Sequence, residues 1–114
     1  MQPLSRTVPP GLHKYRGPNH VLVSRRHSLR SLHARVRKLW ETGRWDEVHL
    51  HGLGAAISQA IVLAAALEES DATMSASAST STELLVDRDA QGEGVARYNS
   101  AIHVCLRRRS EPRG

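Results

Sequence analysis

The chain is 114 residues long with a mass of 12.6 kDa, the size of one domain, and with no Phe and only 4% aromatic residues its core has to be built from Val, Leu, Ile and Ala. The longest apolar run, Ala60 to Leu67, is too short to span a bilayer, and the N-terminal stretch with Pro3, Pro9, Pro10 and Gly11 has no apolar segment of the kind a secretory signal needs. A net charge of +5 and a pI near 10.3 favour a polyanionic partner, and the single cysteine, Cys105, forbids an internal disulfide and fits a reducing compartment.

Residues 1–19 hold three of the five prolines ahead of Pro18, show no hydrophobic period and read as a flexible basic arm. His20 to Ser24 is predicted as a first strand, because Val21, Leu22 and Val23 form a short apolar run. From Ser28 the apolar positions Leu29, Leu32, Val36, Leu39 and Trp40 follow helical spacing, with Ser28 a fitting N-cap and Gly43 a stop. The opposite face of that helix carries Arg30, Arg35, Arg37 and Lys38. Residues 1–44 therefore contain ten basic side chains and one acid, Glu41.

Asp46 to His51 alternates, with Val48 and Leu50 on one side and His49 and His51 on the other, and Gly52 and Gly54 end it. Ala55 to Glu68 follows as a helix that is apolar nearly all round. The sheet of so small a domain covers one side of such a helix, so its other side is expected to meet a partner chain. Thr73 to Thr82 alternates small and polar residues into Leu84, Leu85 and Val86, which predicts a long, weakly apolar strand. Asp87 to Ala96, with Gly92 and Gly94 among charges, reads as a hairpin loop, and Ser100 to Arg107 as the last strand, with Ile102, Val104 and Leu106 on one face and His103, Cys105 and Arg107 on the other. From residue 45 to 96 there are nine acids and one base, Arg88; the tail then turns basic again. The order β-α-β-α-β-β predicts an α/β, two-layer sandwich over residues 20–109 with a mixed sheet and a short tail at 110–114.

Seven histidines invite a metal hypothesis, with His49 and His51 on one strand face and His103 within possible reach. No second cysteine, no helical His-x-x-x-His and no carboxylate at a characteristic spacing supports it, and Cys105 beside His103 lacks a third, orienting group. No metal, cofactor, small-molecule substrate or catalytic residue is expected. The turn His51-Gly52-Leu53-Gly54 lacks both the dinucleotide fingerprint and a phosphate-loop ending. It admits two compatible readings: backbone N–H groups at a helix start that suit a phosphate, or a tight turn needing positive φ. If the first two strands are parallel, Arg25 and Arg26 stand beside this turn, and Arg30 extends the track. With so few aromatics, backbone and shape recognition of structured RNA is favoured over base stacking. The alternative is that these arginines only solvate a helix. The candidate RNA-binding set is Arg16, Arg25, Arg26, Arg30, Gly52, Gly54, Arg97 and Arg107, and the candidate partner interface is Ile57, Ile61, Ala64, Ala65 and Leu84.

The element order, the pair Arg25-Arg26 after the first strand and Gly54-Ala55-Ala56-Ile57-Ser58 opening the second helix resemble the Alba nucleic-acid-binding proteins. Within that superfamily, the segments 49–57, 79–84 and 99–104 are similar to the Alba-like twenty-kilodalton subunits of eukaryotic RNase P and RNase MRP, and the likeness covers roughly residues 20–108. The resemblance implies a heterodimer with a second Alba-like subunit, bound to a stem-loop of the RNase P or MRP RNA among other proteins of the particle. That RNA is the catalyst for tRNA and ribosomal RNA precursor processing, so this chain would be a non-catalytic RNA binder of the nucleus and nucleolus. Arg25 and Arg26 match the basic pair that archaeal Alba uses on nucleic acid. Leu53 and Ala55 stand where archaeal Alba has arginines around the glycine, and Gln59 where a basic residue is common, a departure that suits a protein interface. The competing reading is a stand-alone Alba-type chromatin protein that binds duplexes as a homodimer. Whether Arg107 to Arg109 bind RNA or act in nuclear import is open at this level.

Overall fold

Strand β1 (His20–Val23) leads into helix α1 (Leu29–Glu41), and the cap expected from sequence is formed: the Ser28 hydroxyl accepts from the Ser31 backbone N–H at 3.1 Å. The helix stops where Gly43 takes φ +69°. The computed structural model describes residues 15–88 and 90–109, so most of the expected arm and all of the tail at 110–114 lie outside the described residues. Strand β2 (Glu47–Leu53) follows, then a single 3-10 turn (Gly54–Ala56), helix α2 (Ile57–Ser70), and strands β3 (Met74–Arg88) and β4 (Gly94–Arg108).

The strands form one mixed sheet in the order β1-β2-β4-β3, with β1 parallel to β2 and the other pairs antiparallel. Both helices cover the same face. Val21, Val23, Val48, Leu50, Ile102, Val104, Leu106 and Met74 from the sheet meet Leu32, Val36 and Trp40 of α1 and Ala60, Leu63, Ala64 and Leu67 of α2 in one core. The period of 2 on the strands and of 3.6 on the helices selected these residues, as the sequence predicts.

Two expectations are corrected. Half of the region read as a loop over Asp87 to Ala96 is paired: the β3–β4 ladder runs without a break from Met74 opposite Arg108 to Arg88 opposite Gly94. Leu84, Leu85 and Val86 pair with Tyr98, Arg97 and Ala96, and this cross-strand contact outweighs the glycines and charges that suggested a loop. Because β2 ends at Leu53 opposite Ala101, residues 82–88 and 94–100 continue beyond it as a two-stranded arm, about 24 Å long at ~3.4 Å per residue. The second correction concerns α2. Ala64 lies on the same stripe as Ala60, Leu63 and Leu67, is 7% exposed, and belongs to the chain's own core. Ile57 also packs against that core, whereas Ile61, Ala65 and Leu84 face outward, Ile61 and Leu84 about half exposed.

Candidate nucleic-acid interface

The register pairs Val23 with Gly52, so β1 and β2 end side by side and the Arg25-Arg26 turn stands next to Gly52 to Gly54. That turn is locally fixed: the Ser24 hydroxyl accepts from the Arg26 backbone N–H at 3.2 Å, and the Ser24 carbonyl from that of His27 at 3.1 Å. Arg25, Arg26 and Arg30 are exposed, and among the described residues they make no ion pair or side-chain hydrogen bond. Arg35 and Lys38, on the outward face of α1, share this condition, which the pattern of alternating core and surface positions already indicates. A cation without a carboxylate partner loses no ion pair when a phosphate replaces water beside it.

The turn after β2 has the conformation of the structural reading. Gly54 sits at φ +56°, and a Cβ there would lie 2.8 Å from the Asn99 amide. A Cβ at Gly52 would lie 2.9 Å from the Ala56 carbonyl oxygen and 3.2 Å from the Ala60 Cβ. Both glycines are therefore needed to bring strand and helix together. No side chain caps the 3-10 turn or α2, so the helix start also presents uncapped N–H groups. Arg97 sits on the arm, which leaves the sheet at this same end. Tyr98 beside it is 73% exposed and Asn99 contacts Gly54; the sequence reading singled out neither, and strand alternation alone would put Tyr98 on the face of Ile102 and Val104, its exposure coming from its place on the arm beyond β2.

Arg107 stands elsewhere. It pairs with Glu47 in the register and donates from Nε to Glu47 Oε2 at 2.7 Å, at the end of β2 that lies about 17 Å from Gly52. Its neighbours are also occupied, holding the end of β4 to the domain. The Arg108 guanidinium lies 4.1 Å from the Trp40 ring centroid and donates to the Trp45 carbonyl, and Arg109 donates to the Met74 carbonyl and faces Glu68 at 3.6 Å. Arg16 is exposed beside Tyr15, which lies over the sheet face that the helices leave uncovered.

Most of the histidines gather on that second face, where each is hydrogen-bonded or stacked. His20 Nδ1 and His51 Nε2 are 2.8 Å apart, as are His51 Nδ1 and His103 Nδ1, and His103 Nε2 and Ser81 Oγ. Ser81 donates its only hydroxyl proton to Glu83. With neutral rings this fixes every proton in the row: His103 donates from Nε2, His51 from Nδ1 and His20 from Nδ1. Tyr15 closes over His51 and His103 at centroid distances of 4.7 and 4.3 Å. Burial, and then the neighbouring His20, His103 and His49, hold the His51 imidazole down at about 3, and burial followed by His49 lowers His20 as well. Below the ordinary value of 6.5 the unfolded chain takes up a proton that His51 in the fold refuses. Its stabilising share is therefore complete above pH 6.5 and is lost as pH falls toward about 3. Chemical denaturation between pH 7.5 and 4 should show a falling midpoint, with a shallower decline in His51→Gln; an equally steep decline would remove His51 as its cause.

The family model described as the Rpp20 subunit of nuclear RNase MRP and P matches residues 16–105. The chain belongs to this family. It is 34% identical over 101 residues to the proteins named ribonuclease P protein subunit p20 of Bos taurus, Mus musculus and Homo sapiens, covering 78% of this chain and 72% of each relative. Two solved structures share the fold: Alba from Thermoplasma volcanium, at a TM-score of 0.59 and 14% identity over 78% of this chain and 99% of that one, and ALBA1 from Trypanosoma brucei, at 0.58 and 19% over 83% and 73%. The Alba-like fold and the family expected from sequence are thereby established. In this Rpp20-family chain the structure brings Arg25, Arg26, Arg30, Gly52, Gly54 and the arm with Arg97 to one end, and leaves Arg107 at the other.

Proposed function

We propose that the chain is a non-catalytic, RNA-binding subunit of nuclear RNase P and RNase MRP. In this reading Arg25, Arg26 and Arg30 hold phosphates of a stem-loop of the catalytic RNA, while the outward side of α2 and the arm pair with a second Alba-like subunit. Membership of the Rpp20 family carries the proposal. The unpaired cations at one sheet end support the RNA contact, and the exposed Ile61, Val62, Leu84 and Val86 support the partner contact. The protein works in the nucleus and nucleolus, supporting maturation of tRNA 5′ ends and ribosomal RNA precursors alongside the other proteins of the particle.

Affinity purification of the tagged chain in mild salt, with sequencing of bound RNA and identification of small proteins, tests this. Recovery of RNase P or MRP RNA with a second basic Alba-like protein is the expected result. Recovery of bulk DNA with a homodimer would instead support a chromatin role. The partner contact makes its own prediction: Ile61→Glu should weaken association with the second subunit by about tenfold or more, because a half-exposed Ile covered by a partner contributes on the order of 1–2 kcal/mol and a charge left there is costly. Unchanged recovery of the partner would place the interface elsewhere.

A further inference from the structure

The sequence directs attention to His49, His51 and His103 as possible metal ligands, but the ring nitrogens of His51 and His103 are engaged in the hydrogen-bonded row. A different set converges next to it. Glu47 and His49 lie two apart on β2 and so share a face, and the β2–β4 register places Cys105 directly opposite His49. One donor atom from each of the three lies within 4.8 Å of the others, and His49 Nε2 is 3.2 Å from Glu47 Oε1. We infer that Glu47, His49 and Cys105 form a site for a zinc-class divalent cation, with three protein ligands and a fourth position open to solvent.

Four observations support the assignment. A carboxylate oxygen, an imidazole nitrogen and a thiolate together suit zinc, whereas a thiolate disfavours magnesium and calcium. Tetrahedral zinc at its usual bond lengths needs ligand atoms about 3.3–3.7 Å apart; the His49–Glu47 edge, at 3.2 Å, is close to this, and the other edges, within 4.8 Å, have to close around the ion. The supporting contacts are also present: Arg107 grips Glu47 Oε2 and leaves Oε1 turned toward His49, while His49 stacks on His20 at 4.6 Å with rings 13° apart. The site opens into a shallow cavity lined by Ser77, Ser79 and His103, which leaves room for the fourth ligand.

Burial, and then the Glu47 carboxylate, push the Cys105 thiol up, so the metal-free protein carries a thiol. Binding releases that proton to solvent, His49 presents Nε2 without a proton, and the cation keeps its oxidation state. With one thiolate and one carboxylate the bound site is neutral overall, and because a divalent cation enters as one proton leaves, binding raises the charge of this part of the sheet by one. The site draws on β2 and β4 alone and stands whether or not the chain binds RNA.

The test uses the 114-residue chain in the assembly it forms on purification, reduced and stripped with a chelator, then titrated with Co²⁺ and displaced with Zn²⁺. One equivalent per chain is expected, with a thiolate-to-cobalt charge-transfer band and the visible bands of tetrahedral cobalt. Cys105→Ser should remove the charge-transfer band, His49→Ala should weaken binding by more than about 100-fold, and Arg107→Ala by about 10–100-fold with the bands retained. Far-ultraviolet circular dichroism checks the fold of each variant, and Arg107→Ala keeps a readout should a ligand substitution unfold the chain. Absence of the thiolate band, or equal affinity in the wild type and the folded Cys105→Ser and His49→Ala variants, overturns the site and assigns any bound ion to scattered histidines.

Discussion

Replacing Arg25 and Arg26 together by Glu is expected to weaken binding of a structured RNA stem-loop by at least about 100-fold at low salt. Each charge-assisted contact to a phosphate contributes about 1.5–3 kcal/mol, and each one neutralises a phosphate whose counterion would otherwise be retained. Loss of two such contacts should reduce the slope of log K against log salt by about 2, the part of the prediction least sensitive to folding. Both side chains are exposed and unpaired among the described residues, so the thermal melting point should stay within a degree or two. Fluorescence anisotropy across a salt series measures affinity and slope together. Arg107→Ala is the matched control: it removes a cation held by Glu47 at the far end of β2 and should leave the slope nearly unchanged. An unaltered slope in the double variant would remove the pair from the RNA contact.

Gly52→Ala should be the most destabilising single-atom change at this end of the molecule. The added methyl meets the Ala56 carbonyl oxygen at 2.9 Å, an atom of the backbone that can move only if the 3-10 turn and the start of α2 move with it. Overpacking of this kind costs about 1–3 kcal/mol, or a melting point lower by about 5–20 °C in a domain of this size. Gly54→Ala is strained for another reason, since φ +56° is a left-handed conformation, while the Asn99 amide that crowds it is a side chain able to shift. The two readings of this turn then separate in one experiment. If the glycines serve the strand-to-helix approach, the folded fraction of Gly52→Ala binds RNA at 10 °C with wild-type affinity. If their N–H groups hold a phosphate, affinity falls further than stability explains.

Much of the architecture was legible because it is written in local periodicity. The α1 stripe of Leu32, Val36 and Trp40, the Ser28 cap and the alternation of Val48 with His49 each depend on neighbours within a few residues. The convergence of Arg25, Arg26 and the glycine turn was legible too, since two parallel strands must end at the same side of a sheet. The arm was misread because its strands are stabilised by each other across the ladder, and glycines with charges look like a loop until that pairing is counted. Ala64 was misplaced because an all-apolar helix has no polar face to mark which side turns inward.

The sequence by itself determined the order of elements, the location of the unpaired cations and the surplus of apolar surface on α2, because these follow from residue type and spacing along the chain. Only the tertiary structure decided that Arg107 meets Glu47, that Arg37 bridges to Asp71 at 2.8 Å, and that His51 spends its nitrogens on His20 and His103 while Glu47 and His49 face Cys105. These partners are dozens of residues apart in the chain. Strand pairing sets the contacts between strands to within one position, and a slip of one residue would turn each of the strand side chains among them to the opposite face.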